Sequence, residues 1–252
     1  MSRPAPMHAP KFTDLVGPAP DAREFTMTVR PGLADCAPSG RIRLDALARW
    51  LQDVAYADVE DAGVAGSAVW VVRRTRIQVL RFPRFAEHFE VLTFCSGIGR
   101  AWAERRTTIT SEGGSGEPCV EAVALWVHLD PETWRPMPFA DEEIAVYGDA
   151  AMGRRITARL RHPSAPADAV SSEWTFRATE CDIAGHVNNS NYWQPLEEEL
   201  LLEGHEPSAL DAEMEFRTPS QPGRKLMLRD GVLRWIVDPD ASTHASAVVV
   251  MS

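Results

Sequence analysis

The sequence of 252 residues lacks a run of eighteen apolar residues, so it predicts no transmembrane helix. The first twenty residues lack the apolar core of a secretory signal, and residues 1–22 are predicted to form a disordered, Pro-rich lead. The four cysteines show neither a CxxC pair nor a metal-ligand spacing, which indicates a reduced, cytoplasmic setting. The net charge of −10 argues against nonspecific binding of nucleic acid.

The remaining sequence repeats one order of predicted elements. The first half predicts a strand at 23–30 and then a helix that begins near Leu44 and ends at Gly63. Four more strands are predicted to follow, at 68–80, 89–97, 101–110 and 120–129. The second half predicts a helix at 192–203 and strands at 173–178, 212–217, 225–229, 232–237 and 244–251. The alternation in EMEFR, residues 213–217, is typical of a half-buried strand.

The segment between the two halves differs in composition. Residues 131–170 contain several prolines and an acidic stretch, and are predicted to form a connector with one helix. Arg30 precedes Asp35 by five residues, as Arg177 precedes Asp182, and this echo supports duplication of one unit. The sequence therefore predicts an α+β chain with an N-terminal domain at 23–130 and a C-terminal domain at 171–252.

A short segment of the second half concentrates the polar chemistry. Asp182, His186, Asn188 and Asn189 fall within eight residues, between a predicted strand and a predicted helix. The first free N–H groups of a helix favour developing negative charge. This arrangement suits the hydrolysis of an activated acyl group.

Four segments carry a resemblance to a known family: DIAGHVNNSNY (182–192), WVVRRTRIQVLRFPRF (70–85), AWAERRTTIT (101–110) and ALWVHLDPETWRPMP (124–138). In this combination and order, the chain resembles the acyl-ACP thioesterases from about residue 24 to its C-terminus, where ACP is the acyl carrier protein. The resemblance implies two tandem hot-dog domains, each a curved antiparallel sheet around a central helix. The first domain would hold the acyl chain, and the second would be catalytic.

The resemblance also implies an activity, a partner and the roles of residues. The expected reaction is attack of activated water on acyl-ACP, which releases free fatty acid and holo-ACP without a metal or organic cofactor. Asp182 and His186 match the catalytic positions of the family, and Asn188 and Asn189 match its paired asparagines. The local alternative is an Asx turn for Asp182, a loop hydrogen bond for His186, and helix capping for the two asparagines.

The sequence departs from the family at two places. This chain has Ala184 where the family motif Asp-x-Asn-x-His has its asparagine, so a hydrogen-bonding group is missing. Plant members carry a Glu-Cys pair further on, where this chain has TPSQPG at 218–223. Ser220 and Gln221 do not replace a glutamate base, and no GxSxG motif indicates a serine nucleophile.

The first domain contributes candidates for binding. Asp35 echoes Asp182 but no histidine follows it, so this half is predicted to be inactive. Residues that could line an acyl pocket or pack in the core are Trp50, Leu51, Val54, Trp70 and Trp102. A set of arginines could bind the carrier protein or the phosphate of its acyl-phosphopantetheine, or could lie on a solvated sheet surface: Arg73, Arg74, Arg76, Arg105 and Arg106.

Two other functions remain open at this point. An acyl-CoA thioesterase would use the same chemistry on a different thiol carrier, and Ala184 favours an acyl-binding protein that has lost catalysis. A homodimer is possible, although two hot-dog domains in one chain already form the unit that single-domain members make by dimerising.

Overall fold

The computed structural model describes residues 11–66, 68–113, 116–204, 206–240 and 242–251. Within these ranges, ten strands form one sheet: β1 Phe25–Val29, β2 Val69–Val79, β3 Phe89–Ile98, β4 Trp102–Ser111, β5 Pro118–Leu129, β6 Val170–Phe176, β7 Leu210–Phe216, β8 Gly223–Asp230, β9 Leu233–Val237 and β10 Thr243–Met251. The helices are α1 Leu44–Asp61, α2 Asp141–Tyr147 and α3 Gln194–Leu202, and 3-10 turns occupy Leu33–Asp35, Ala178–Glu180 and Asn189–Trp193.

The order of the strands shows the duplication. From one edge to the other it is β1-β3-β4-β5-β2-β7-β10-β9-β8-β6, so each half has the same order outward from the middle. The halves meet where β2 pairs antiparallel with β7, with Arg74 opposite Glu215 and Arg76 opposite Glu213. This architecture confirms the predicted α+β fold of two tandem hot-dog domains. The exact domain boundaries stay predictions.

The helices lie against the inner face of the sheet because their apolar spacing gives each a buried side. Leu44, Leu47, Leu51 and Val54 are buried in α1, and α1 packs against α3 and the turn that precedes it. Pro195 near the start of α3 cannot donate an N–H, and the chain enters the helix through the 3-10 turn Asn189–Trp193. The buried side chains of both halves form one continuous core.

The connector covers the outer face of the sheet at the joint between the halves. Arg74 Nη1 donates to the carbonyl of Arg159 at 3.1 Å, and Glu215 accepts hydrogen bonds from the backbone N–H groups of Arg161 and His162 at 2.6 and 3.0 Å. Glu213 and Glu215 are consequently 1% and 0% exposed. The prediction of a half-buried strand at 213–217 was therefore wrong, because this strand is covered on both faces.

Part of the predicted N-terminal lead also packs on this joint. Residues 1–10 lie outside the described residues, and 11–22 contain neither helix nor strand. Thr13 is 3% exposed and its N–H donates to Glu213 Oε2 at 2.8 Å, while Arg76 lies over the ring of Phe12. Residues 12 and 13 are thus packed rather than loose. Of the helices in the described ranges, none has the length and hydropathy needed to cross a membrane.

Candidate active site

The loop that carries the candidate catalytic residues is closed by its own backbone. The N–H of Asp182 donates to the carbonyl of His186 at 3.1 Å, and that of Gly185 donates to the carbonyl of Asp182 at 3.0 Å. Gly185 has a φ of 76°, a left-handed conformation that glycine adopts without a steric penalty. This tight turn places Asp182 and His186 on the same wall of a cavity.

The Asp182 carboxylate is held by two hydrogen bonds. Its Oδ1 accepts from the N–H of Ala184 at 2.9 Å, and its Oδ2 accepts from Asn188 Nδ2 at 3.0 Å. The first of these bonds is the Asx turn that the residue type favours. A carboxylate has more than two lone pairs, so acceptor capacity remains for a water molecule.

His186 is half-buried and reaches the same cavity. Its Nδ1 is enclosed and forms no hydrogen bond with any other described residue. Its side chain also shares no hydrogen bond with Asp182 within the ranges that the structure describes. A buried polar atom without a partner is costly, so the enclosed Nδ1 is a destabilising feature of the loop.

The paired asparagines have structural roles, as the local alternative predicted. Asn188 Oδ1 accepts from the N–H and the hydroxyl of Ser190, at 2.8 and 2.7 Å, and so caps the following turn. Asn189 Nδ2 donates to the carbonyl of Val72 at 3.2 Å, which ties the candidate loop to strand β2 of the first domain. Both residues also line the cavity.

The cavity has a volume of about 630 Å³ and spans the two domains. From the candidate loop, the walls of the cavity run over Val72 of β2, Trp126 of β5, Ala103 of β4 and Cys95 of β3. With a strand spacing of about 4.8 Å, these three steps correspond to a depth of roughly 14 Å. The apolar wall is long enough for a substantial alkyl chain.

Trp70 is a wall residue of this cavity, as expected. Its ring stacks on Phe139 of the connector, with a centroid distance of 5.6 Å. The other residues considered as pocket liners are not among the wall residues: Trp50, Leu51 and Val54 lie in the core, and Trp102 Nε1 donates to the carbonyl of Ile156.

The arginines proposed for an exposed basic patch are largely enclosed. Arg74, Arg105 and Arg106 are 3%, 8% and 6% exposed, and Arg73 is half-buried with Nη1 bonded to the carbonyl of Arg217 at 2.8 Å. Arg105 and Arg106 each pair with a carboxylate, at 2.7 and 2.6 Å. Burial lowers the pKa of Arg73 and Arg74. Neither the patch nor the solvated sheet surface fits Arg74, Arg105 and Arg106, because the connector and internal ion pairs cover them.

One group of potential metal ligands lies outside the cavity. His162, Glu213 and Glu215 bring ligand atoms within 4.8 Å of one another beneath the connector. Glu215 already accepts two backbone N–H groups, and Arg217 Nη2 lies 3.6 Å from it. These contacts make the group part of the charged joint between the domains.

The internal echo has a different register from the predicted one. In both halves a short antiparallel bridge closes the loop, between Cys36 and Ile42 and between Cys181 and Val187. Asp35 ends the first 3-10 turn as Glu180 ends the second. Asp35 therefore corresponds to Glu180, and the pairing of Asp35 with Asp182 was wrong.

Residues 218–223, where the chain departs from the plant members of the family, form hydrogen bonds with the loop that carries Asp182 and His186. Ser220 is fully buried, and its carbonyl accepts the N–H of Val187 at 2.9 Å. Gln221 Nε2 donates to the carbonyl of Gly185 at 3.2 Å. Ala184, the other departure, is exposed at the cavity wall.

Several wall residues were not anticipated from the sequence. Gln52, Tyr56 and Glu60 of α1 line the cavity, and their spacing of four residues places them on one side of the helix. The connector contributes Phe139 and Tyr147. The polar stripe on α1 was a usable signal, whereas nothing local indicated that the connector would close the pocket.

The comparisons with known proteins agree with this geometry. A family model described as the acyl-ACP thioesterase N-terminal domain matches residues 24–147. This segment belongs to the acyl-ACP thioesterase family. The match confirms the resemblance found in the sequence and covers the first hot-dog domain together with helix α2 of the connector.

Relatives and structures extend the similarity over most of the chain. An uncharacterized protein of Mycobacterium tuberculosis is 25% identical over 228 residues, which cover 88% of this chain and 90% of the relative. The palmitoyl-acyl carrier protein thioesterase of Gossypium hirsutum is 26% identical over 82% of this chain, which spans 53% of that protein. An acyl-ACP thioesterase from Bacteroides thetaiotaomicron shares the fold, with a TM-score of 0.77, 18% identity and coverage of 91% of this chain and 98% of the other.

Proposed function

We propose that this protein is a thioesterase that hydrolyses acyl-ACP to free fatty acid and holo-ACP. One observation carries the proposal. A single cavity joins the polar loop with Asp182 and His186 to an apolar channel in the first domain. The thioester would lie at the loop and the alkyl chain in the channel. The family match over residues 24–147 supports the same reaction.

The reaction needs an activated water and a stabilised carbonyl oxygen. Asp182 and His186 act together as the base that removes one proton from the water molecule. As the water oxygen bonds to the carbonyl carbon, the π electrons of the carbonyl group move onto the carbonyl oxygen. The tetrahedral intermediate then expels the pantetheine sulfur, which takes up the proton. A thiol has a pKa of about 8.5, so it is a tolerable leaving group. The base and the oxyanion donors consequently dominate the rate.

The walls of the channel favour a fatty acyl chain. Trp70, Val72, Trp126 and Ala103 give it a mainly apolar lining. Each buried methylene contributes about 0.8 kcal/mol to binding, so several methylenes provide substantial affinity without any charged contact.

The mouth of the cavity supports a protein as the carrier. Large apolar side chains at the rim are exposed: Ile183, Tyr56, Trp134 and Ile144. Because Arg74, Arg105 and Arg106 are buried, Arg73 is half-buried and the chain has a net charge of −10, apolar contacts rather than a basic patch would dock the acyl carrier protein. Cytoplasmic localisation and a homodimer stay predictions.

Release of fatty acid from acyl-ACP, acyl-CoA and acyl-pantetheine of graded chain lengths tests the proposal. We expect the highest kcat/KM with acyl-ACP. Asp182→Asn and His186→Ala should each lower kcat by about a hundredfold or more, because they act on the same water. The exposed residues Asp168 and His88 provide controls of the same kind, and Asp168→Asn and His88→Ala should retain turnover.

Other outcomes identify the competing functions. A higher kcat/KM with acyl-CoA would make the protein an acyl-CoA thioesterase. Tight binding of acyl chains with no release from any substrate would favour an acyl-binding protein. Unchanged turnover in both loop variants, with their folding verified by circular dichroism, would contradict the assignment of the catalytic loop.

A further inference from the structure

The chain contains two copies of one loop, and the copy in the first domain has no equivalent of Asp182 and His186. The N–H of Ala37 donates to the carbonyl of Arg41 at 2.8 Å, as Asp182 does to His186 at 3.1 Å. Gly40 has a φ of 85°, as Gly185 has 76°. The equivalent positions are 145 residues apart, as 37 and 182, or 41 and 186.

The same spacing extends into the helices that follow. The first helical residues of the two copies are Leu44 and Asn189. Further along these helices, and at the same spacing of 145 residues, buried Leu51 corresponds to buried Leu196, and exposed Asp53 corresponds to exposed Glu198. Gln52 is therefore the counterpart of Glu197.

Glu197, which belongs to the second domain, reaches across to the loop of the first domain. Glu197 Oε2 accepts the N–H of Leu44 at 3.1 Å, and its Oε1 lies 2.8 Å from Arg41 Nη2. The Arg41 and Glu197 side chains are 2% and 3% exposed. The carboxylate of Glu197 thus lies where the N–H of Leu44 and the side chain of Arg41 converge.

In the catalytic copy, the corresponding groups surround the cavity. His186 replaces Arg41, the N–H of Asn189 replaces that of Leu44, and Gln52 replaces Glu197, and all three residues line the cavity. The N–H of Asn189 has no partner within its helical segment, since it is the first residue. Glutamine has the same length as glutamate, yet among the described residues no hydrogen bond joins Gln52 to Asn189.

The carboxamide of Gln52 is available to a ligand. Among the described residues it has no hydrogen-bond partner, whereas the other carboxamides around the loop are engaged: Asn188 with Asp182, Asn189 with Val72, and Gln221 with Gly185. An amide N–H stabilises an oxyanion, while a carboxylate such as Glu197 would repel it. The change of residue type between the copies thus matches the change from an ion pair to a reaction site.

We propose that Gln52 is a catalytic residue contributed by the first domain. Its Nε2 donates to the thioester oxygen, jointly with the N–H of Asn189, as the water oxygen bonds to the carbonyl carbon. The two donors hold the negative oxygen until the carbon–sulfur bond breaks. Gln52 supplies the donor that is missing at Ala184. This assignment rests on the thioesterase function proposed above.

Three variants of Gln52 test the assignment. Gln52→Met preserves length and removes the donor, so kcat should fall by about a hundredfold, with KM changing by less than about threefold. Gln52→Glu should be equally slow at neutral pH, and its rate relative to that of the wild type at the same pH should rise as falling pH protonates the new carboxyl group. Gln52→Asn serves as a second variant that keeps the amide but withdraws it from the oxygen.

Gln78→Met provides the matched control. Gln78 lies on β2 outside the cavity wall and is half-buried, and this variant should turn over like the wild type. A kcat within twofold of wild type in Gln52→Met, with Asp182→Asn still inactive, would overturn the role of Gln52 and leave the thioesterase function intact. If the wild type released no fatty acid from any substrate, both proposals would fail.

Discussion

At the scale of single residues, three of the differences between the candidate catalytic loop and its copy concern the residues proposed to act on the substrate. Ala37 becomes Asp182, Arg41 becomes His186, and Glu197 becomes Gln52, on a backbone with the same hydrogen bonds. Asp182 gains two hydrogen bonds from within its own loop, while His186 is left with an unpaired nitrogen. The fold of the loop is thus independent of its chemistry.

Ala184 gives a prediction at this scale. If Gln52 already supplies the donor, Ala184→Asn in the wild type should change kcat by less than about threefold. In the Gln52→Met background, the same substitution should raise kcat, because the new carboxamide lies at the cavity wall. Single-turnover rates of the four proteins in this cycle measure the coupling. Equal effects in both backgrounds would show that residues 52 and 184 do not share a task.

At the scale of secondary-structure elements, the connector does more than join two domains. Helix α2 supplies part of the cavity wall, and residues 159–162 cover the outer face of β2 and β7. His162 is held there by hydrogen bonds from its Nδ1 to the carbonyl and hydroxyl of Ser246, at 3.2 and 3.1 Å. The connector consequently contributes to both the pocket and the joint.

The stability of this attachment should depend on pH. Burial lowers the pKa of His162, although Glu213 and Glu215 act in the opposite direction and Arg217 acts with burial. The imidazole of His162 therefore binds a proton more readily in the unfolded chain than in the folded chain. The contribution to stability is present above about pH 6.5 and is lost as the pH falls below it. Urea unfolding at pH 8 and pH 5.5 should show a smaller loss of stability for His162→Gln than for the wild type.

A different result would exclude this mechanism. Equal losses in the variant and the wild type would mean that other groups cause the acid sensitivity. His88→Gln is the matched control, because His88 is exposed, and it should behave like the wild type at both pH values.

The sequence predicts the elements better than it predicts their environments. Alternation along 23–30 and the spacing of Leu44, Leu47, Leu51 and Val54 identified β1 and α1, because these patterns are local. The burial of Glu215 and the cavity position of Gln52 depend on a connector and on a helix that are distant in sequence. The candidate loop was found because its residues are contiguous, whereas Gln52 lies 130 residues before Asp182 and has no local sign of its role.

At the scale of the whole molecule, the pairing of β2 with β7 makes one sheet from two domains. The joint places charged residues opposite one another, such as Arg74 and Glu215, and then covers them. A buried charge that keeps its partners is tolerated, while the loss of one partner leaves the others unpaired. The joint is therefore specific for one register of the two strands.

Glu215→Gln tests the contribution of this joint. The amide keeps a single acceptor oxygen for two backbone N–H groups and leaves Arg217 without its carboxylate. We expect a loss of about 3 kcal/mol in the free energy of unfolding. Glu173→Gln, at an exposed ion pair with Arg224, should cost less than about 0.5 kcal/mol. Similar losses in the two variants, measured by urea unfolding, would show that the joint contributes little.

The covalent union of the two halves also removes a restriction that symmetry imposes. In a dimer of identical subunits, every substitution occurs twice, so a residue that improves one half-site is imposed on the other. Here Glu197 and Gln52 occupy equivalent places and differ. One half can commit its residues to a permanent ion pair across the domains, and the other can keep the same space open for a passing substrate. A single chain with two unequal halves thus allows a division of labour that its symmetric counterpart cannot have.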